Sequence, residues 1–355
     1  MAAPVKVAII SPNQGAYGGL EAYVLALARF LAGRPDIKVR LVFKRVKGFK
    51  LRSELSAMVE QAGIQAEFVR RAGWDLARTA AWADVVHVQN ASPDVVLLAR
   101  IFARPIVVTI HFNFLMPSSL HKVLWRLAAM AAHERLYVSS FVRRTWEGET
   151  RRAHSRMVHS FCGQPGEGLP PGERRGFAFV GRWVENKGVD ILVRAYGRAK
   201  LDRQRWPLRL MGTGPMEAEV RRSVAGPAAA GIEILGFVPD ERKTEVIRHS
   251  KWMVVPPQTN EDLGLVPFEA RCFGVPCIVT RDGGLPEAAG HEALLCEPGS
   301  AESLRAALER AAGMGEEEYA ARSARTKDEL RSQLTPMEFY PELYSTLAGS
   351  RRCKP

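Results

Sequence analysis

The chain has 355 residues, 46% hydrophobic and 25% charged, with a net charge of +12. That length predicts two globular domains, and no apolar run approaches the length of a membrane span. Five cysteines, an odd number without metal-like spacing, argue against a disulfide framework or a zinc site and for a reducing compartment. Nothing near Met1 reads as a signal peptide, so the expected location is the cytoplasm. The charge is uneven. Residues 1–165 hold 23 Lys/Arg against 11 Asp/Glu, and residues 166–355 hold 27 against 27. The basic half suits a polyanion or an anionic membrane surface, and an arginine-rich solvated surface accounts for it equally well.

Short apolar runs alternate with amphipathic stretches. Strands are predicted at Val5–Ile10, Val39–Phe43, Ala66–Val69, Val85–Val88, Ile106–Ile110 and Leu136–Val138. Helices are predicted at Leu20–Leu31, Leu51–Gln61, Pro93–Phe102 and Leu120–His133. Such alternation predicts a parallel sheet with right-handed crossovers. Gly163–Gly176, with five glycines and three prolines, reads as a linker. The alternation then restarts with strands Phe177–Val180, Leu208–Met211, Ile232–Leu235, Trp252–Val255, Cys277–Val279 and Leu294–Leu295. Predicted helices include Gly188–Ala199, Met216–Val224, Glu241–Arg248 and Ala301–Ala312. The fold class is therefore α/β, two facing Rossmann-like doubly wound domains with an interdomain cleft. Residues 1–165 form an acceptor-side domain and 166–335 a donor domain, and a final helix in 336–355 is a candidate to cross back to the first.

Candidate chemistry sits at the ends of the predicted strands. Gly18-Gly19 precede the first helix and permit close approach of an anion to its start. An ordinary βα turn reads the same way, and the dinucleotide fingerprint is absent. His111 follows the fifth strand and is the histidine placed to reach a ligand. His121, His133, His154 and His159 read as surface or core residues. Arg182 follows Phe179-Val180-Gly181, and Lys187-Gly188 open the next helix, so a fork of donors and a point charge suit a diphosphate. Glu261 and Glu269 frame the turn after Trp252–Val255. Gly264 there allows close backbone approach, and Glu269 is placed in the first turn of a helix running from Val266 to Phe273. Carboxylates repel phosphate, so their expected partners are hydroxyls, and a sugar nucleotide carries both groups. Gly212-Thr213-Gly214-Pro215 reads equally as a structural turn. Cys272 and Cys277 read as buried small hydrophobes. The Lys122–Leu127 stretch is amphipathic, and packing on its own sheet is preferred over a membrane interface.

Together these residues resemble the family 4, group 1 retaining glycosyltransferases of GT-B fold. The resemblance rests on Glu261-x7-Glu269 and Gly181-Arg182…Lys187-Gly188, with weaker support from Gly18-Gly19-Leu20-Glu21, His111, Gly212-x-Gly214-Pro215 and Gly283-Gly284…Glu287. It implies that Arg182 and Lys187 bind the donor diphosphate, that Glu269 holds the ribose hydroxyls, and that Glu261 lies near the donor sugar. It also implies that the backbone of Gly264, Leu265 and Val266 meets phosphate or sugar. Gly18 and Gly19 would lie under the diphosphate, and His111 would contact the transferred sugar. No metal or other cofactor is implied, and the donor is a nucleotide-diphosphate sugar, UDP- or GDP-linked.

The implied partners are that donor and a saccharide or lipid-linked acceptor in surface-glycan or lipopolysaccharide biosynthesis, with an anionic membrane surface a candidate contact of the basic half. No nucleic acid is expected. The competing readings are a transferase acting on a soluble small molecule, a sugar-nucleotide 2-epimerase of the same fold, and a non-catalytic polyanion-binding module. Two departures stand out: Ser160-Phe161-Cys162-Gly163 replaces the family's Asn-Gly-Val-Asp element, and Asp262-Leu263 stand where Gly and Phe are frequent.

Overall fold

The computed structural model describes residues 3–13, 18–45, 53–70, 73–114, 119–159, 165–224, 230–259 and 261–352. Gln14–Tyr17 of the first glycine turn and the Ser160–Gly163 departure lie outside these. The chain forms two compact units, residues 1–162 with 335–355 and residues 163–334.

Unit 1 alternates β1 (Val5–Asn13), α1 (Gly19–Ala32), β2 (Ile37–Arg45), α2 (Ser53–Gln61), β3 (Ala66–Val69), α3 (Trp74–Trp82) and β4 (Val85–Gln89). It continues with α4 (Pro93–Ile101), β5 (Ile106–Ile110), α5 (Ser119–Met130), β6 (Glu134–Tyr137), α6 (Ser140–Glu147) and β7 (Ser155–Met157). All seven strands are parallel, in the order β3-β2-β1-β4-β5-β6-β7. Every residue of β4 and β5 is buried. Central parallel strands covered on both faces need such unbroken apolar runs, which is why the sequence showed them plainly. The elements that escaped prediction are local in character. β7 has three residues, too few to show a period, and α6 is fixed largely by its cap, where Ser139 Oγ accepts from the Val142 N–H at 3.1 Å.

Unit 2 alternates β8 (Phe177–Val180), α7 (Val189–Arg198), β9 (Leu208–Met211), α8 (Glu217–Ser223), β10 (Ile232–Gly236), α9 (Asp240–His249) and β11 (Trp252–Val255). Then follow α10 (Leu265–Arg271), β12 (Cys277–Thr280), α11 (Leu285–Ala289), β13 (Leu294–Cys296), α12 (Ala301–Ala312) and α13 (Glu316–Gln333). The six strands are parallel in the order β10-β9-β8-β11-β12-β13. One face is cored by Phe177, Trp206 and Trp252, the other by Met253, Val279 and Leu285. The described part of the Gly163–Gly176 stretch is fastened to this unit. Buried Arg174 donates to the carbonyls of Gly274 at 2.7 Å and Phe273 at 2.8 Å, and a Cβ on Gly168 would stand 2.2 Å from Phe273 O.

The last helix, α14 (Phe339–Arg352), belongs to unit 1 and lies on β1 and β4. Its Tyr340, Leu343, Tyr344 and Ala348 enter the core built by Val7, Ile9 and Leu41. No helix among the described residues is long and apolar enough to cross a membrane.

Candidate active site

In unit 2 the strand order reverses between β8 and β11, and open parallel sheets take ligands beyond the strand carboxyl ends at that point. The loops flanking the reversal carry Arg182 and Lys187 on one side and Glu261 and Gly264 on the other. Cross-loop bonds hold them together. Gln258 N–H donates to Asn186 O at 2.9 Å and its Nε2 to Glu185 O at 2.8 Å.

Glycines allow these loops to touch. Gly188 is left-handed at φ 69°, and a Cβ there would stand 2.0 Å from Pro256 O. Gly212, at φ 125°, passes so close to the other loop that a Cβ would meet Gly181 O at 1.9 Å. The Gly212–Pro215 turn is therefore structural in its immediate job: it presses on Gly181 and Trp183 and so sets where Arg182 leaves the strand. From β12, the Gly284 N–H donates to Glu261 O at 2.7 Å, which holds the acidic loop in turn.

Within this frame Lys187 Nζ lies 2.5 Å from Glu261 Oε2, with both side chains about a quarter exposed. Arg182 is exposed, and among the described residues its guanidinium makes no ion pair or hydrogen bond. Glu269 sits on α10, which starts at Leu265 and not Val266; Glu269 is consequently its fifth residue, in the second turn and not the first. Its Oε1 accepts from Lys243 Nζ at 3.1 Å, and its Oε2 is shielded from water with no hydrogen-bond partner among the described residues. Burial pushes the Glu269 carboxyl up from its ordinary value, against the pull of Lys243. Lys243 was missed in the sequence. It lies in the charged run of α9, indistinguishable there from a solvated cation, and only packing brings it to Glu269. Gly264 caps α10 at φ 83°, and the first-turn N–H groups of Leu265 and Val266 have no acceptor within the helix.

In unit 1 the reversal falls between β1 and β4. Gly18 caps α1 in extended conformation, and among the described residues a Cβ there would meet only Glu21 Oε2, at 3.4 Å. The described residues leave room for a side chain at that position. His111 leaves β5 half-buried. Its Nε2 lies 2.8 Å from Gln89 Oε1, and its backbone N–H donates to Asn90 Oδ1 at 2.9 Å. Gln89 Nε2 in turn lies 3.2 Å from His87 Nε2, and His87 Nδ1 lies 2.7 Å from Tyr344 OH on α14. Tyr23 OH bonds Tyr340 OH, and the Tyr23 ring lies 5.7 Å from His111. Thr109 Oγ1 also lies 2.7 Å from His87 Nε2; with Gln89 Oε1 as the acceptor, the His111 proton is assigned to Nε2, which makes Nδ1 the acceptor of its neutral ring. Burial pushes both imidazoles down to about 3, so each is neutral.

The remaining candidates behave as buried or surface groups. Cys272 and Cys277 are buried free thiols pushed up to about 12 by burial. His133 Nδ1 accepts the Ile106 N–H, and His154 pairs with Glu134. The Lys122–Leu127 expectation is overturned. Val123, Leu124 and Leu127 of α5 face solvent, and the helix packs inward through Ala128 and Ala129.

Two doubly wound parallel units, each with polar groups at its strand reversal, define a two-Rossmann-domain protein of the GT-B type, and family comparison agrees. Residues 17–161 match the family model described as Glycosyltransferase Family 4, and residues 164–328 match Glycosyl transferases group 1. The chain belongs to the family 4, group 1 glycosyltransferases. It is similar to the D-rhamnosyltransferase WbpZ of Pseudomonas aeruginosa, 27% identical over 58% of this chain and 57% of that one. It is also similar to the O-antigen chain mannosyltransferase B of Escherichia coli, 29% identical over 37% of this chain and 35% of that one. The matched stretch is thus under two thirds of either relative. Among solved structures, Anabaena HepE in complex with UDP superposes with a TM-score of 0.76 at 16% identity, covering 97% of this chain and all of that one (100%), a likeness of fold.

Proposed function

We propose that the chain transfers a sugar from a nucleoside diphosphate donor, with retention of anomeric configuration, to a hydroxyl of a saccharide or lipid-linked saccharide in surface-glycan assembly. The observation that carries this reading is the strand reversal of unit 2, whose flanking loops carry Arg182 and Lys187 on one side and Glu261 on the other, with Lys187 paired to Glu261 and Glu269 on the helix that follows. Arg182 is a guanidinium with no ion pair or hydrogen bond among the described residues, suited to a diphosphate. Glu269 Oε2 is an acceptor without a donor among the described residues, suited to a ribose hydroxyl. The O-antigen and rhamnose transferases to which the chain is similar support a surface-glycan product, and the UDP complex of a protein of like fold supports a nucleotide donor.

In this reading the bond from the sugar's anomeric carbon to the diphosphate oxygen breaks with its electron pair going to the diphosphate. Arg182 and Lys187 stabilise the charge that builds there. The acceptor hydroxyl adds to the same face of the sugar, and its proton passes to the departing phosphate oxygen. Glu261, held by Lys187, is an acceptor for sugar hydroxyls and not the nucleophile. By the family resemblance, Gly18 and Gly19 serve the diphosphate and His111 a sugar hydroxyl. The backbone of Gly264, Leu265 and Val266 serves phosphate or sugar. No metal takes part in this scheme.

Incubating the protein with UDP-, GDP-, ADP- and TDP-sugars and following the anomeric configuration of the product by NMR tests the reading. An α-linked donor must give an α-linked product. An inverted product, or a trapped glycosyl-enzyme ester on Glu261, overturns it.

A further inference from the structure

Two tyrosines one turn apart on α14 reach toward His111 from within unit 1. Tyr344 OH lies 2.7 Å from His87 Nδ1, and Tyr340 OH is bonded by Tyr23 OH, whose ring flanks that of His111 at 5.7 Å. His87 and Gln89, two apart on β4, share one face of the sheet and carry the first contact onward. Gln89 Nε2 lies 3.2 Å from His87 Nε2, and Gln89 Oε1 lies 2.8 Å from His111 Nε2. Tyr344, His87 and Gln89 are fully buried, so their polar atoms satisfy one another. The same end of β4 grips the His111 backbone. Its N–H donates to Asn90 Oδ1 at 2.9 Å, and Asn90 is left-handed at φ 58°, a conformation few non-glycine residues adopt.

Burial pushes both imidazoles down to about 3, so each ring carries a single proton. The chain then has two self-consistent proton arrangements. With the Gln89 NH2 toward His87, His87 Nε2 accepts, its Nδ1 donates to Tyr344, and His111 Nε2 donates to Gln89 Oε1. With the amide turned over, His87 donates from Nε2, His111 Nε2 accepts, and the His111 proton sits on Nδ1. Thr109 Oγ1, 2.7 Å from His87 Nε2, is a hydroxyl that serves either arrangement. The two rings carry opposite tautomers in both. His111 Nδ1 is an acceptor in the first and a donor in the second.

We infer that Tyr344 is a positioning residue: through His87 and Gln89, its hydroxyl fixes which ring nitrogen of His111 carries the proton. The linkage lies wholly within unit 1, and its catalytic consequence rests on the role given to His111 under the proposed function. The observed placement of the Gln89 amide is that of the first arrangement, in which the Tyr344 oxygen takes the His87 Nδ1 proton. Tyr344→Phe removes that acceptor and keeps the ring. A buried N–H without an acceptor carries its full desolvation cost, whereas a His87 proton on Nε2 still meets Thr109. The amide then turns over, and His111 inverts with it.

Nitrogen NMR of the full chain with isotope-labelled histidine reads the outcome, because protonated and bare ring nitrogens resonate far apart. Loss of signals in His87→Asn and His111→Asn assigns the two rings. The wild type should show His87 protonated on Nδ1 and His111 on Nε2, and Tyr344→Phe should exchange both. In a Gln89→Ala background, where the chain is cut, Tyr344→Phe should leave the His111 ring unchanged, which a mere loss of packing would not. Like tautomers on the two wild-type rings overturn the inference, and this arm still decides if Tyr344→Phe folds poorly. A His111 ring that Tyr344→Phe leaves unmoved, or moves equally without Gln89, overturns it too. Where the ring inverts, turnover of the UDP-, GDP-, ADP- or TDP-sugar that serves as donor should fall by about tenfold, the scale of one mismatched hydrogen bond. Inversion without that loss upholds the linkage and overturns the role of His111 instead.

Discussion

Lys187 Nζ stands 2.5 Å from Glu261 Oε2 across the strand reversal of unit 2, joining the loop after β8 to the loop after β11. The pair is about a quarter exposed, so its own stabilisation is small, on the order of 1 kcal/mol or less. Its consequence is positional. The ammonium is held where it neutralises the carboxylate, and under the proposed function a diphosphate offers it more charge. Lys187→Ala should therefore weaken donor binding by roughly tenfold to a hundredfold, the scale of one or two charge-assisted hydrogen bonds. Its melting temperature should stay close to wild type. Calorimetric titration with the nucleoside diphosphate measures the first, and a thermal scan the second. Loss of fold with no change in affinity would assign the pair a structural role.

Glu269 offers a sharper chemical test. Its unpartnered Oε2 suits a ribose hydroxyl, so the wild type should prefer a ribonucleoside diphosphate over its 2′,3′-dideoxy analogue by about tenfold. Glu269→Ala should erase the preference and bind both analogues alike. Equal affinity of the wild type for the two would show that the carboxylate serves something else.

Gly212 tests the frame around Arg182. At φ 125°, with a Cβ position 1.9 Å from Gly181 O, alanine there is both strained and overpacked. Gly212→Ala should cost on the order of 3 kcal/mol in urea denaturation. Gly18→Ala, where among the described residues the added Cβ meets only Glu21 at 3.4 Å, should leave stability nearly unchanged. Near-equal losses for the two would contradict the contacts described here.

The buried histidine of unit 1 sets an acid limit. His87 is pushed down to about 3 by burial, from an ordinary value of 6.5. Its native state binds fewer protons than its unfolded state between those values, so stability is full above pH 6.5 and falls as the pH is lowered. The slope is about 1.4 kcal/mol per pH unit for one such group. Half-buried His111 shifts the same way and adds a part of that. Carboxylates held below their ordinary value, such as Glu147, add their own loss only under about pH 4.5. Denaturation between pH 6.5 and 5 should show the histidine slope, and His87→Asn should flatten it. A flat wild-type profile over that window would mean that His87 is protonated in the folded chain.

The sequence exposed what repeats along the chain and concealed what packing decides. β4, β5 and β8 showed themselves as unbroken apolar runs because central parallel strands are buried on both faces. Arg182, Lys187 and Glu261 were legible because each sits within a few residues of a strand end, where open sheets put ligands. Lys243 was not, since its tie to Glu269 spans 26 residues and two helices. The link from His87 to Tyr344 spans 257 residues and could be found only in the fold. For α5 the periodicity announced an apolar stripe without saying which way it faces. Its outward orientation is fixed by Ala128 and Ala129, whose small side chains let the opposite face approach unit 1.

The central claim is that unit 2 holds a nucleoside diphosphate sugar through Arg182. Isothermal titration of wild type and Arg182→Ala with the UDP-, GDP-, ADP- and TDP-sugars tests it most directly. One donor series should bind the wild type and lose at least about tenfold in Arg182→Ala, as expected for a guanidinium that meets phosphate. Absence of binding to all four, or equal binding by the Arg182→Ala protein, would contradict it.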